Sequence, residues 1–174
     1  MYQVWETLSL VRDFMELGGD VLWGVFAISV LMWTFLLERM WYYRKLYPGR
    51  REEIFAIWRA RADDSSWYAK RIRDGLVSEL QMDINQNLLV IRTCISILPL
   101  IGLLGTVTGM IQVFDVMAYT GAGNARLMAG GVSAATIPTM SGLVAALSGL
   151  AVGSRLFGYA HEESMRVADS LRHE

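Results

Sequence analysis

Residues 93–114 read TCISILPLIGLLGTVTGMIQVF, a run of 22 residues without a charge. About 20 such residues, rising about 1.5 Å each in a helix, cross a hydrocarbon core of about 30 Å. Two more charge-free runs flank it, residues 21–37 and residues 127–154. The sequence therefore predicts an all-α, polytopic membrane protein with three transmembrane helices.

The composition as a whole also indicates a membrane protein. The chain has 174 residues, 53% of them hydrophobic, and a formal net charge of −1, which is too apolar for an ordinary soluble domain of this size. The shortest run, residues 21–37, is followed by ERMWYY at residues 38–43, a pattern typical of a membrane interface. A signal peptide starts with a positively charged segment, and the segment before residues 21–37 is not positively charged. We therefore interpret residues 21–37 as a span that is retained in the protein.

Lysine and arginine are distributed unevenly between the segments that join the runs. One of the 16 precedes the first run, 11 lie in residues 38–92, one lies in residues 115–126 and three follow residue 154. Because Lys and Arg accumulate in short cytoplasmic segments, this distribution predicts an outer N-terminus and a cytoplasmic C-terminus.

Apolar spacing outside the runs also predicts helices. Val4, Leu8, Val11 and Met15 form one stripe, which indicates an amphipathic helix at the outer surface. The sequence DDSS at residues 63–66 predicts a helix break and a new N-cap. A second stripe from Ile72 to Leu88 predicts one long helix that continues into the second span.

These features divide the chain into seven predicted segments. They are an amphipathic outer helix (residues 1–18), transmembrane helix 1 (19–38), a cytoplasmic helical segment (39–92), transmembrane helix 2 (93–117), an outer loop (118–126), transmembrane helix 3 (127–154) and a cytoplasmic C-terminal helix (155–174).

Small residues recur at helical spacing in the second and third runs. Such residues let helix backbones approach closely in lipid, where apolar burial gives no net drive to associate. We therefore predict tight helix packing at these positions. The packing residues are Gly102, Gly105, Gly109, Gly142, Gly149 and Gly153.

Hydroxyl side chains lie in the same two runs. Thr106 is about 21 Å along a helix from Arg92, and Thr139 is about 24 Å from Arg155, so antiparallel helices place both threonines at similar depth. Such a hydroxyl either bonds back to a carbonyl of its own helix or lines a pore, and both interpretations remain open. Pro138 has no amide hydrogen, which predicts a kink beside Thr139.

No ionisable side chain lies in the middle of the three runs. Because proton or ion transfer through a bilayer generally needs such a group, a conducting protein of this sequence requires an acid from a partner. Cys94 is the only cysteine, and His161 and His173 lie among charged residues near the C-terminus. We predict no metal site, no cofactor and no enzymatic activity.

Two motifs carry a resemblance to a known family. Residues 98–110, LPLIGLLGTVTGM, resemble the second-span signature of the ExbB, TolQ and MotA proton-channel family. Residues 131–143, GVSAATIPTMSGL, resemble the family's third-span motif, a Gly-x-Ser-x-Ala start followed by Thr-x-x-Gly-Leu. The short inner segment is more similar to the ExbB and TolQ branches, ExbB of the TonB system above all, than to MotA, which has four spans.

The resemblance implies a homopentamer in the bacterial inner membrane around the single transmembrane helices of an ExbD-type partner. That partner supplies a transmembrane aspartate for the proton, and the complex drives a TonB-type protein that energises outer-membrane transport. The resemblance also implies pore-lining roles for Thr106, Thr139, Thr136 and Ser133. The alternatives are a TolQ-like subunit of a cell-envelope maintenance complex and a structural membrane scaffold without ion conduction.

The sequence departs from the family pattern at two positions. Ala134 stands where many ExbB proteins have a glutamate, and Pro138 replaces the threonine often found before the pore threonine. The first departure leaves the role of the acid even more fully to the partner.

Overall fold

The protein is helical in this computed structural model, which describes residues 2–60, 66–120 and 125–173. Within these ranges, the side chains of residues 2–11, 13, 16–17, 120, 125–128, 133 and 171–173 lie outside the description. The helices are α1 (Tyr2–Trp41), α2 (Tyr47–Arg59), α3 (Trp67–Asn85), α4 (Leu88–Thr120) and α5 (Ala125–His173), with a π-helical turn at Tyr42–Leu46 after α1. The described residues include no strand, and the all-α prediction is confirmed.

In the part of the chain that the structure describes, three helical stretches are long and apolar enough to cross a membrane, which confirms the three predicted spans by length and composition. On α4, for example, the large apolar side chains of Leu103, Leu104 and Val107 are exposed. Apolar surface of this extent is typical of a protein that meets lipid or another chain.

α1 kinks at Gly19, where the backbone is not helical (φ 64°, ψ −166°). Glycine adopts a positive φ readily because it has no Cβ. This residue is also the boundary between the predicted outer helix and the first predicted span. The side chains of Val4, Leu8 and Val11, which define the predicted amphipathic stripe, lie outside the described residues.

α3 and α4 are separate helices, so the predicted continuous helix through Leu88 is wrong. α3 ends at Asn85, and Asn87 has a φ of 60°, a left-handed conformation that interrupts a right-handed helix. The Asn87 side-chain amide donates a hydrogen bond of 3.1 Å to the Glu38 carboxylate. The junction is therefore fixed by a contact with α1.

The start of α3 agrees with the sequence pattern. Ser66 is the N-cap residue, and its hydroxyl oxygen accepts a hydrogen bond of 3.1 Å from the Ala69 amide. This satisfies one of the amide groups that have no partner within the helix. The other residues of the predicted break, 63–65, lie outside the described residues.

The contacts divide the chain into two compact units. Unit 1 comprises Met1–Trp33 and Thr93–Leu150, and unit 2 comprises Thr34–Arg92 and Ala151–Glu174. Unit 1 contains the threonine motifs and the predicted packing glycines except Gly153, whereas unit 2 contains most of the charged residues.

Unit 2 buries the guanidinium of Arg39, whose side chain is 1% exposed. It donates hydrogen bonds to the Asp83 carbonyl oxygen at 3.0 Å and to the Gln86 side-chain oxygen at 2.9 Å. Because the last carbonyls of a helix have no partner within it, a cation stabilises that end. Arg39 thus holds the C-terminal end of α3.

Unit 2 also buries the carboxylate of Glu163. The Tyr47 hydroxyl donates to it at 3.1 Å, and the Arg51 guanidinium lies 3.3 Å away. Burial and, next, the negative charge of Glu163 raise the pKa of Tyr47 above its usual range. Burial likewise raises the pKa of Tyr43 to about 12.

Candidate functional site

α4 and α5 pack as an antiparallel pair within unit 1. Contacts move toward the C-terminus of α4 in steps of three or four residues while they move toward the N-terminus of α5, if the contact of Gly105 with Pro138 described below is included. Such steps keep the contacting residues on one face of each helix. The contacting pairs are Leu98 with Gly142, Gly102 with Thr139, Gly109 with Ala135 and Val113 with Gly131.

The glycines of this face allow direct backbone contact. A Cβ atom added to Gly102 would lie 2.9 Å from the Pro138 carbonyl oxygen, and one added to Gly142 would lie 2.6 Å from the Leu98 carbonyl oxygen. Real Cβ atoms essentially never approach other atoms closer than 3.0 Å. The geometry thus gives a specific reason for glycine at both positions, of the kind described for small-residue contacts in lipid.

Gly105 contacts the ring of Pro138, and a Cβ atom on Gly105 would lie 2.5 Å from the Pro138 Cβ. The Pro138 side chain is fully buried. α5 runs through Pro138 as one helix, and the kink expected there stays a prediction. In the structure, the Pro138 ring packs against α4.

The last two predicted packing glycines lie further along α5. Gly149 packs against Met32 of α1 and Ile95 of α4, so its contact includes a third helix. Gly153 is buried and belongs to unit 2.

Thr139 binds across the helix pair. Its hydroxyl donates a hydrogen bond of 2.7 Å to the carbonyl oxygen of Gly102. Threonine hydroxyls in helices usually bond to their own helix, and this one reaches its neighbour because the missing side chain of Gly102 lets the backbones approach. Gly102 is one turn, about 6 Å, from Thr106, which places the two threonines close to the same crossing.

The threonines of α4 bond within their own helix. The Thr106 hydroxyl donates to the Leu103 carbonyl oxygen at 2.7 Å, and the Thr108 hydroxyl donates to the Gly105 carbonyl oxygen at 3.1 Å. A hydroxyl oxygen keeps two acceptor lone pairs after it donates its hydrogen. Backbone bonding therefore does not prevent either threonine from accepting a hydrogen bond from water or from a partner.

The structure gives less detail for the two remaining predicted pore residues, Thr136 and Ser133. Thr136 lies on α5 three residues before Thr139, and its side chain is exposed. The backbone of Ser133 belongs to α5, but its side chain lies outside the described residues. The structure shows a cross-helix bond for Thr139 and a bond within α4 for Thr106, and the pore-lining role of all four residues stays a prediction.

Sequence reasoning did not single out a cavity of about 320 Å³ in unit 1. Asp20 of α1, Thr108 and Gln112 of α4, and Ala134 of α5 line it. The GG pair at residues 18–19 directly before Asp20 was the available sequence signal for a break at this point. Among the described residues, no group of three His, Cys, Asp or Glu side chains lies close enough to hold a metal ion.

Long apolar helices that pack through glycines and carry hydroxyls at their crossing define a multi-pass membrane protein. Residues 51–169 match the model of the MotA/TolQ/ExbB proton channel family. Because this match covers more than half of the chain, the protein belongs to that family, and the resemblance noted from its motifs is confirmed.

Curated relatives that match this chain carry ExbB or ExbB-like names. The chain is 26% identical to the ExbB-like 1 protein of Synechocystis sp. over 84% of this chain and 70% of the relative. It is 26% identical to the biopolymer transport protein ExbB of Helicobacter pylori over 81% of this chain and 80% of the relative. The ExbB-like 3 protein of Synechocystis sp. is 43% identical over 34% of this chain and 29% of the relative.

Proposed function

We propose that this chain is the proton-channel scaffold subunit of an energy-transducing complex in the bacterial inner membrane. α4 and α5 form the wall of its pore, and Thr106 and Thr139 face the conducted proton, with Thr136 and Ser133 nearby. The complex energises a TonB-type protein and, through it, transport at the outer membrane. The chain acts as a conducting scaffold and not as an enzyme, with its N-terminus outside and its C-terminus in the cytoplasm.

The observation that carries the proposal is the hydrogen bond of Thr139 to the α4 backbone at Gly102, four residues before Thr106. The Thr139 hydroxyl is bonded to Gly102, one turn from Thr106, and both hydroxyl oxygens retain acceptor lone pairs. The surrounding runs carry no charge. Two hydroxyls from two helices therefore offer a polar position in an otherwise apolar wall.

The proton carrier in this proposal comes from a partner. Residues 93–114 and 127–154 contain no carboxylate, and a titratable group inside the membrane is the usual proton relay. A single-span partner with a transmembrane aspartate, of the ExbD type, supplies that group. The partner helix fits inside a ring of copies of this chain.

Exposed apolar side chains support an assembly of several copies. The glycine faces of α4 and α5 are used within one chain, whereas Leu103, Leu143 and Leu147 on other faces are exposed. These faces are free to meet lipid or neighbouring copies. We propose a homopentamer, which native mass measurement of the purified complex with its partner would count directly.

Proton flux through the reconstituted complex tests the proposed function. The chain and its single-span partner are placed in lipid vesicles, and flux is followed under an imposed pH gradient. Thr106→Val and Thr139→Val should each lower flux about tenfold or more, equivalent to about 1.4 kcal/mol in the barrier, because each removes a hydroxyl oxygen from the wall.

Ser148→Ala is the matched control. Ser148 is also on α5 and also bonds to a backbone carbonyl, that of Ala145 at 2.7 Å, but the proposal gives it no part in conduction. All variants are checked for intact assembly by native mass. Wild-type flux in both threonine variants, with the complex intact, contradicts the pore role.

A further inference from the structure

The cavity of unit 1 brings together polar groups from two helices. Its volume is about 320 Å³, which is enough for several water molecules at about 30 Å³ each. Thr108 and Gln112 are four residues apart on α4 and therefore share one face. Asp20 approaches from α1, and the small side chain of Ala134 completes the lining from α5.

The backbone kinks at Gly19, directly before Asp20. A Cβ atom on Gly19 would meet no atom within 4 Å, and the φ of 64° there belongs to glycine. The kink separates Asp20 from the preceding helical segment, so its carboxylate begins a new segment next to the cavity.

The polar groups of the lining are available to a ligand. Within the described part of the chain, no hydrogen bond or ion pair occupies the Asp20 carboxylate or the Gln112 amide. Asp20 is the only titratable residue among the described residues of the lining. A carboxylate, an amide oxygen and a hydroxyl oxygen are the hard oxygen ligands that small cations prefer.

We propose that this cavity binds a small monovalent cation, a hydrated proton or Na⁺, with Asp20 as its anionic group. The site rests on the proposed function, in which this end of unit 1 faces outside. It acts as a vestibule: the carboxylate raises the local cation concentration beside Thr108, which is two residues from the proposed pore threonine Thr106. Ala134 leaves room for the hydrated ion.

A purely structural role for Asp20 predicts a different outcome. An acidic residue at the start of a helical segment stabilises it through the helix dipole and by capping. Asparagine caps a helix about as well as aspartate but carries no charge. Asp20→Asn therefore separates the two roles.

The first measurement is proton flux of the reconstituted complex with its partner over a series of outer pH values. In Asp20→Asn, the outer proton concentration that gives half-maximal flux should be about tenfold higher than in the wild type. About tenfold is the lower end of the effect of electrostatic focusing on local ion concentration. The shift should shrink at high ionic strength, because salt screens the carboxylate. The double variant Asp20→Asn with Ala134→Glu returns a carboxylate to the same cavity and should restore the wild-type profile.

Asp115→Asn is the matched control. This residue is an exposed acid on α4 that does not line the cavity, and its variant should keep the wild-type profile. An unchanged profile for Asp20→Asn, or an equal shift for Asp115→Asn, overturns the vestibule.

The second measurement does not depend on conduction. Thermal unfolding of the purified complex is compared in NaCl and in N-methylglucamine chloride at equal ionic strength. A higher Tm in NaCl that disappears in Asp20→Asn identifies Na⁺ as the bound ion, whereas a pH-profile shift without a sodium effect identifies the proton. If the wild-type complex conducts no protons, the proposed function fails, and the effect of sodium on Tm alone decides whether the cation site exists. If sodium then has no effect on Tm, the cation site is overturned as well.

Discussion

The hydroxyl of Thr139 donates a 2.7 Å hydrogen bond to the carbonyl oxygen of Gly102 on the adjacent helix. The bond exists because Gly102 presents bare backbone to α5 at the level of Pro138 and Thr139. A glycine, a proline and a threonine thus form one crossing, and a change in any of them should alter the other two. This crossing is the part of unit 1 on which the proposed pore depends.

Gly102→Ala should destabilise the fold. The added methyl group would lie 2.9 Å from the Pro138 carbonyl oxygen and from the Thr139 Cα, so α4 and α5 must separate. We expect the free energy of unfolding to fall by about 1–3 kcal/mol, the usual effect of an overpacked contact. Thermal unfolding in detergent measures the change.

Gly158→Ala is the control for that variant. Gly158 also lies in α5, but an added Cβ atom meets nothing within 4 Å. Its replacement should leave stability unchanged or raise it by up to about 1 kcal/mol through helix propensity. Equal effects of the two alanines would contradict the close backbone contact at Gly102.

Thr139→Val and Thr139→Ser should differ in stability. Valine keeps the shape but removes the bond to Gly102, which we expect to lower the free energy of unfolding by about 1 kcal/mol. Serine keeps the donor and should stay close to wild type. Unfolding in mild detergent with added denaturant compares the two, and identical midpoints would show that the bond adds nothing measurable.

Arg39→Met should loosen unit 2. The substitution removes two hydrogen bonds to the end of α3 and leaves the Asp83 carbonyl without this donor, an effect of about 2 kcal/mol for bonds to a charged group. Hydrogen exchange at the amides of α3 should accelerate. Arg44→Met, at an exposed position, is the control and should leave this exchange unchanged. Unchanged exchange in Arg39→Met would refute this role of Arg39.

The stability of unit 2 should depend on Tyr47 at alkaline pH. Folding raises the pKa of Tyr47 above its ordinary value, through burial first and Glu163 second. Below about pH 10, the ordinary tyrosine pKa, this phenol is neutral in both the folded and the unfolded chain. At higher pH the unfolded chain ionises first, so stability falls as pH rises.

Urea unfolding at increasing pH checks this dependence. Tyr47→Phe has no phenol to ionise, so it should lose less stability above about pH 10 than the wild type does. Tyr68→Phe, which changes an exposed ring, should follow the wild-type curve. A Tyr47→Phe curve parallel to the wild type would contradict the raised pKa of Tyr47 in the folded chain.

Charge-free runs were sufficient to predict the helical membrane fold. A run such as residues 93–114 must form its backbone hydrogen bonds internally in lipid, and a helix is the simplest way to do so. The break at Asn87 was missed because Ile84 and Leu88 continue the apolar spacing across it. No Gly or Pro marks that position, and the left-handed φ is held by a contact with Glu38, which is distant in sequence.

The candidate site was only partly accessible from sequence. Glycine spacing indicated which faces of α4 and α5 pack, since that spacing is a local property of each helix. The pairing of Gly102 with Thr139 depends on the register between two helices, which local spacing does not determine. Asp20 was overlooked for the same reason, because its cavity requires α1, α4 and α5 together.

The uncharged contact between α4 and α5 has an electrical consequence. The membrane potential performs work only on charge, about 2.3 kcal/mol for one elementary charge moved through 100 mV. Gly102, Pro138 and Thr139 carry none, so voltage exerts no direct force on the crossing that they form. In the proposed complex, the voltage then acts on charged groups outside this crossing, such as Asp20, the acid of the proposed partner and the conducted ions.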